Sequence, residues 1–307
     1  MARKFIISID LGGTNLKIAI LDSRYRIRTK EILSTVNFRG KQGLISAIIV
    51  SINSCIAEHK LKNIDILGVG LGFPGPVDKE NGIVHFLPNI AGWREVNIKK
   101  ILETSLGLPV FLDNDAKLMG LAELKLGNAR RFNNALCVTL GTGVGGALII
   151  GGSLYRGADN AAGEIGHIPL NEQGPSCACG GIACLERYIG NSSIKAQARE
   201  IFNRKVSLEE LAGLAKRKEK KALRVWFKVG SRLGRVLTGV VNLLNLDGIV
   251  IGGGVANAGD ALFNGVKAAV KKHAMSVQSG RVKIIRAKFG NDAGLIGAAV
   301  LVVENAK

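Results

Sequence analysis

A strand that enters a glycine-rich turn and returns at once as a second strand occurs twice in this sequence, and the repetition restricts the available folds more than any other feature. The first copy runs through residues 5–10, the turn Leu11-Gly-Gly-Thr-Asn15 and residues 16–21, with a third strand expected over 27–34. About 130 residues later the plan returns as strand 135–140, turn Gly141-Thr-Gly-Val-Gly-Gly146 and strand 147–150. A third turn, Gly252-Gly-Gly254, follows strand 248–251 and leads into a helix over 260–273. Apolar periodicity predicts further helices over 40–60, 96–106 and 292–303, and strands over 66–71, 110–112 and 282–287. Alternating strands and helices in 307 residues, more than one core usually serves, predict an α/β protein of two lobes with a cleft between them.

Glycine lacks a Cβ, so these turns leave backbone N–H groups open to close approach by an anion. One such turn does no more than close a hairpin, whereas three suit opposed clamps on the phosphates of a nucleotide. The candidate nucleotide contacts are Gly12, Gly13, Thr14 and Asn15, then Gly141, Thr142, Gly143 and Gly145, then Gly253 and Gly254. Forty glycines, against about 7% in average usage, fit this heavy use of tight turns. No Gly-x4-Gly-Lys-Ser/Thr is present, nor a Gly-x-Gly-x-x-Gly opening a helix, which removes the P-loop and dinucleotide-binding readings.

Phosphoryl transfer to an alcohol needs a carboxylate that takes the hydroxyl proton. Asp113-Asn-Asp115 closes a buried-looking strand, where the amide of Asn114 can hold a hydroxyl of the acceptor and Asp115 can serve as base. On spacing alone, either aspartate equally fits the cap of a helix beginning near Ala116. Asp10, ending the first strand, either supports its turn or holds Mg2+.

His167, Cys177, Cys179 and Cys184, spaced His-x9-Cys-x-Cys-x4-Cys, supply a closed tetrahedral set for structural Zn2+ with no open position for catalysis. Unpaired buried thiols or a redox pair would leave His167 without a role. Glu164 and Glu186 bracket this loop, so folding it around zinc brings both carboxylates together; Glu186 and Arg187 alternatively form a surface ion pair. Cys55 and Cys137 read as core residues.

The ordered set Asp10-Leu-Gly-Gly-Thr-Asn15, Asp113-Asn-Asp-Ala116, Leu140-Gly-Thr-Gly-Val-Gly-Gly146, Gly163-Glu-Ile-Gly-His167, Cys177-x-Cys-Gly180 to Cys184-Leu-Glu186, and Ile251-Gly-Gly-Gly254 resembles the ROK family of the actin-like ATPase superfamily. The resemblance covers essentially the whole chain. It implies an α/β, two-lobed actin-like ATPase (ribonuclease H-like) fold with a nucleotide and sugar cleft between the lobes. The small lobe is expected over 1–115, joined by the C-terminal helix 292–307, and the large lobe over 116–291 with the zinc loop 163–186. It further implies an ATP-dependent kinase acting on the 6-hydroxyl of a hexose, with Asp115 as base and Asp10 toward Mg2+. Gly75, Asn89, Asn114, Asp115, Glu164, His167 and Glu186 would surround the sugar, and the protein would be a homodimer. Glucose is the expected hexose, from Asn15, from Gly92-Trp93 after Pro88-Asn89, and from residues 139–167. N-acetylmannosamine, N-acetylglucosamine, allose and fructose remain alternatives, as does polyphosphate as donor. Two positions depart from the family: Lys117, where Asn is usual, and Ala183, where Gly is usual.

The formal charge of +18 raises a nucleic-acid partner, but the basic residues are dispersed and the aromatics form no stacking pattern, so none is expected. The densest run, Lys216-Arg-Lys-Glu-Lys-Lys221, follows the capping-box pattern Ser207-Leu-Glu-Glu210 and is expected on a solvated helix face. With no run of about 18 apolar residues and no room for a signal peptide, a soluble cytoplasmic protein without membrane attachment is expected. A sugar-responsive repressor of the family would carry a helix-turn-helix ahead of the first turn, which here begins at residue 10. A sugar- or zinc-binding module would need neither three phosphate turns nor a base. Because the glycine turns lie far from the zinc loop in sequence, loss of zinc is expected to weaken the hexose much more than ATP.

Overall fold

The computed structural model describes residues 5–87 and 90–306, and the chain divides into two compact units. The first comprises Met1–Lys125, Arg156–Ala162 and Asp292–Lys307; the second comprises Leu126–Tyr155 and Gly163–Asn291. Each has its own core cluster of buried side chains.

In the first unit, β1 (Phe5–Leu11), β2 (Asn15–Asp22) and β3 (Ile27–Ser34) form an antiparallel meander. β4 (Ile66–Phe73) joins β1 in parallel. Three short strands, β5 (Val77–Asp78), β6 (Ile83–Phe86) and β7 (Arg94–Asn97), make a separate antiparallel sheet. β8 (Val110–Asn114) then returns beside β4, giving the order β3-β2-β1-β4-β8. β1 is buried on both faces, as a strand covered from both sides must be, whereas the edge strand β3 alternates.

Helix α1 (Gly40–Glu58) is long and apolar enough to cross a membrane by length and composition alone. Its Leu44, Ile48, Ile52 and Cys55 recur at helical spacing and pack into the first core, the signature of a core helix. Helix α2 (Ile98–Leu106) starts two residues later than the sequence predicts, because Arg94–Asn97 is strand and Asn97 caps the helix by accepting from Lys100 N–H at 3.0 Å.

Helix α3 (Asp115–Lys125) stays with the first unit, so the division falls at Lys125 rather than at 115. The cause is its backbone contact with the C-terminal helix, where a Cβ on Gly297 would lie 1.9 Å from the Leu118 carbonyl oxygen. Residues 156–162 also return to this unit, drawn by the Arg156 guanidinium 2.5 Å from Asp113 and by Asn160 Nδ2 donating to the Val77 carbonyl at 3.0 Å.

The second unit repeats the sheet. β9 (Ala135–Leu140), β10 (Val144–Ile150) and β11 (Ser153–Tyr155) form the meander, β12 (Gly248–Gly252) lies parallel to β9, and β13 (Lys283–Arg286) parallel to β12. Its order, β11-β10-β9-β12-β13, is that of the first sheet strand for strand. Around it lie α4 (Glu186–Ile189), α5 (Asn191–Phe202), α6 (Leu208–Lys216), α7 (Lys220–Leu244), α8 (Asp260–His273) and α9 (Ser276–Arg281); α10 (Ala293–Asn305) is the C-terminal helix of the first unit.

The basic run at 216–221 does not lie on one helix face. α6 ends at Lys216, Lys218 turns at φ 62°, and Glu219 caps α7 by accepting from Ala222 N–H at 2.6 Å. Ser207 does cap α6, accepting from Glu210 N–H at 3.0 Å.

Candidate functional site

The first glycine turn is held within its own hairpin. Gly12 N–H donates to the Asn15 carbonyl at 2.8 Å, Thr35 N–H to the Thr14 carbonyl at 3.0 Å, and Thr35 Oγ1 to the Gly13 carbonyl at 3.3 Å. Thr14 and Asn15 are exposed at the tip. Asp10, at the end of β1, pairs with Lys17 Nζ at 2.8 Å. A Cβ on Gly294 of α10 would come within 2.6 Å of the Asp10 carboxyl carbon, so only glycine admits this carboxylate there.

At the junction of β8 and α3 the helix cap is Asn114, not either aspartate. Its Oδ1 accepts from Ala116 N–H at 3.0 Å and Lys117 N–H at 3.2 Å, while its Nδ2 donates to the Gly75 carbonyl at 3.1 Å. Gly75 sits at φ 89°, where a side chain would strain the backbone. Asp113 is fully buried and accepts from Asn114 N–H at 2.9 Å besides meeting Arg156. Asp115 is half-buried as the first residue of α3, its Oδ1 accepting from Ala116 N–H at 2.8 Å. Lys117 is only 2% exposed and donates its ammonium to the Asn160 carbonyl. Asn89 lies outside the described residues.

In the second unit, Gly141 N–H donates to the Gly143 carbonyl at 2.9 Å, Thr142 is exposed at the tip, and Gly145 continues into β10 opposite Thr139. Gly253, at φ 83°, brings the third turn against the end of β9, where a Cβ would lie 2.2 Å from the Leu140 carbonyl oxygen. Gly254 opens the short 3-10 turn before α8.

The spacing Gly163-Glu-Ile-Gly-His167 has a packing cause. A Cβ on Gly163 would fall 2.6 Å from the Gly146 carbonyl oxygen, and one on Gly166 2.1 Å from that of Val144, so both glycines seat the segment on β10. Glu164 is exposed and has no side-chain partner among the described residues. His167 lies with Cys177, Cys179 and Cys184, all four ligand atoms within 4.8 Å of one another. His167 Nδ1 is 3.7 Å from Cys177 Sγ, and Cys179 Sγ is 3.6 Å from Cys184 Sγ. A tetrahedral zinc with Zn–S of about 2.3 Å requires S···S edges of about 3.8 Å, so the set fits the ion. The Gly181 N–H, followed by the Cys184 thiol, lowers the Cys179 pKa to about 7, while burial pushes the Cys184 thiol up. Ala183 takes φ 53°, which explains why glycine suits that position.

Glu186, the first residue of α4, forms no ion pair with Arg187 among the described residues. Its Oε2 accepts from Val144 N–H at 2.9 Å, on the second glycine turn. The sequence also left Thr35, Asn191, Arg156 and Asn160 unmarked. Asn191 directly after Gly190 was the one readable signal, since a Gly-Asn pair commonly ends or opens a helix.

A five-stranded sheet built twice to one topology, each copy bearing a glycine turn after its first strand, defines the actin-like ATPase fold. The chain belongs to the ROK family, whose pattern matches residues 6–305. It is 33% identical to the glucokinase of Halalkalibacterium halodurans, over 99% of this chain and 96% of that one, and 30% identical to the glucokinase of Thermotoga maritima, over 99% of both. A crystal structure of a ROK family glucokinase from Streptomyces griseus, in complex with glucose and AMPPNP, matches with a TM-score of 0.87 at 26% identity, over 98% of this chain and 100% of that one. The xylose repressor of Caldicellulosiruptor bescii is 25% identical over 98% of this chain and 78% of its own length.

Proposed function

We propose that this chain is an ATP-dependent hexose kinase that transfers the γ-phosphate of MgATP to the 6-hydroxyl of glucose. The observation that carries the reading is the start of α3, where Asn114 caps the helix, Asp113 meets Arg156, and Asp115 holds a half-buried carboxylate at the first helical position. Asp115 takes the hydroxyl proton as the sugar oxygen bonds to the γ-phosphorus and ADP leaves. The amide of Asn114, with one N–H spent on Gly75, keeps the other for a sugar hydroxyl. Glu164, with its unpartnered carboxylate, accepts from sugar hydroxyls, and the family resemblance adds Gly75 and Asn89 as further sugar contacts. His167 presents Nδ1 to the thiols, leaving Nε2 for a sugar oxygen.

Gly12, Gly13, Thr14 and Asn15, Gly141, Thr142, Gly143 and Gly145, and Gly253 and Gly254 contact the nucleotide through backbone N–H groups and hydroxyls. Asp10 would hold Mg2+, directly or through water, and the ion supplies charge neutralisation to the phosphates. Zinc holds the 167–184 loop in shape, a structural task for which the closed set of four ligands is suited. The family resemblance also favours a cytoplasmic homodimer.

Asp115→Asn tests the base directly, because the amide keeps the shape and cannot take the proton. The expected outcome is a kcat lower by about 10²–10⁴-fold with glucose affinity nearly intact. Retention of more than about a tenth of kcat removes Asp115 from the role.

A further inference from the structure

We infer that Glu186 is a positioning residue for the second phosphate turn, so that the zinc loop governs nucleotide binding as well as sugar binding. The inference rests on the kinase reading above and gives one of its side chains a second task.

The chain leaves the last cysteine of the loop, Cys184, and goes at once to the turn. Glu186 Oε2 accepts from Val144 N–H at 2.9 Å. A Cβ on Gly143 would fall 2.2 Å from that same oxygen, so glycine at 143 makes room for the carboxylate. Asn191 N–H donates to the Gly141 carbonyl at 3.0 Å. Its side-chain amide, assigned in the orientation that satisfies both neighbours, donates to the Gly141 carbonyl at 2.8 Å and accepts from Thr142 N–H at 3.3 Å. Gly190, between them, packs so closely that a Cβ would meet the Thr142 carbonyl oxygen at 2.9 Å. Residues 186–191 thus hold the turn from outside, while within itself the turn is closed by the bond from Gly141 N–H to the Gly143 carbonyl.

A carboxylate has lone pairs for several donors. Oε2 is engaged on Val144, while Oε1 accepts no hydrogen bond among the described residues. A sugar hydroxyl can therefore bind Oε1 without displacing the turn. Fixing the carboxylate in this way reduces the freedom the turn must lose around the phosphates, so glucose and nucleotide each tighten the binding of the other. The ground for expecting zinc loss to spare ATP disappears: the two are distant in sequence and joined by a hydrogen bond.

The test measures the dissociation constant of Mg-AMPPNP by calorimetry, with and without glucose, in zinc-replete wild type, Glu186→Ala and Glu186→Gln. Glucose should tighten the analogue in wild type by about 5-fold or more. Glu186→Ala should weaken the analogue by about 10-fold without glucose and lose the glucose effect. Glu186→Gln, whose amide oxygen still accepts from Val144 N–H, should retain most of the affinity. If Glu186→Ala loses zinc, Asn191→Ala, which removes the side-chain bonds to Gly141 and Thr142, should also weaken the analogue, by less than about 10-fold because the Asn191 N–H and Glu186 bonds remain, and wild-type affinity there would count against the inference equally. Wild-type affinity in zinc-replete Glu186→Ala, or equal losses in the Ala and Gln variants, overturns the inference and leaves the kinase reading standing. A wild type that binds no nucleotide overturns both.

Discussion

The two hairpin phosphate turns share one sequence plan and differ in what holds them. The first is secured by partners at most 22 positions apart, through the bond from Gly12 to Asn15 and through Thr35. The second is secured by Glu186, 42 positions beyond Val144, and by Asn191. A turn with local anchors forms with its hairpin, whereas one anchored from afar requires the intervening loop to be closed first. Here that loop carries the four metal-ligand residues. One topology therefore supports two turns of unequal independence.

Removing the metal should break the comparison most strongly. Protein purified without chelator is expected to hold one zinc per chain, and Cys179→Ser to lose it, because the binding energy of a structural site is folding energy. A loss of about 2 kcal/mol or more would lower the melting temperature by about 4–8 °C. The same variant should bind Mg-AMPPNP more weakly. Stoichiometric zinc in Cys179→Ser by metal analysis, or an unchanged affinity in the metal-free variant, would contradict the dependence of the second turn on the loop.

Glycine replacement sharpens the contrast at intermediate size. A Cβ on Gly143 strikes Glu186 Oε2 at 2.2 Å, whereas one on Gly12 meets nothing nearer than the Asn15 carbonyl oxygen at 3.5 Å, an ordinary contact. Gly143→Ala should weaken Mg-AMPPNP by about 10-fold, and more than Gly12→Ala, whose methyl group can obstruct the phosphate but displaces no anchoring side chain. In the Glu186→Ala background, Gly143→Ala should add little, since the group it displaces is gone. Full additivity in that double-mutant cycle would mean that the methyl group acts on the phosphate alone.

The smallest effect expected is stabilising. Ala183 occupies the left-handed region at φ 53° beside a zinc ligand, so Ala183→Gly should gain about 1 kcal/mol and raise the melting temperature by about 2–4 °C. A fall in melting temperature would show that the buried methyl group outweighs the backbone strain.

What could be read from the sequence follows from the range of the interactions involved. Strands with glycine turns, the Ser207 cap and the Cys/His spacing are local patterns, and the structure places each where its residues indicate. The cap at α3 was ambiguous because Asp113, Asn114 and Asp115 are all good capping residues, and only geometry shows Asn114 accepting from the helix. The boundary at Lys125 and the return of 156–162 depend on Gly297 against Leu118 and on Arg156 against Asp113, contacts between distant residues that leave no periodic trace. Lys117 stood out as an unusual residue, but its burial and its bond to Asn160 required the fold. Glu186 was legible as an acid beside the zinc loop and not as a support for Val144, because either use begins with the same residue at a helix start.

The most direct test of the central claim is ADP release from MgATP by the wild-type protein across a panel of glucose, N-acetylmannosamine, N-acetylglucosamine, allose and fructose. A hexose kinase of the kind proposed releases ADP only when a sugar is present, fastest with glucose, and yields the 6-phosphate. Binding of a sugar with no ADP release for any member of the panel would contradict the claim and favour a sugar-responsive regulator, while preference for another hexose would keep the reaction and reassign its substrate.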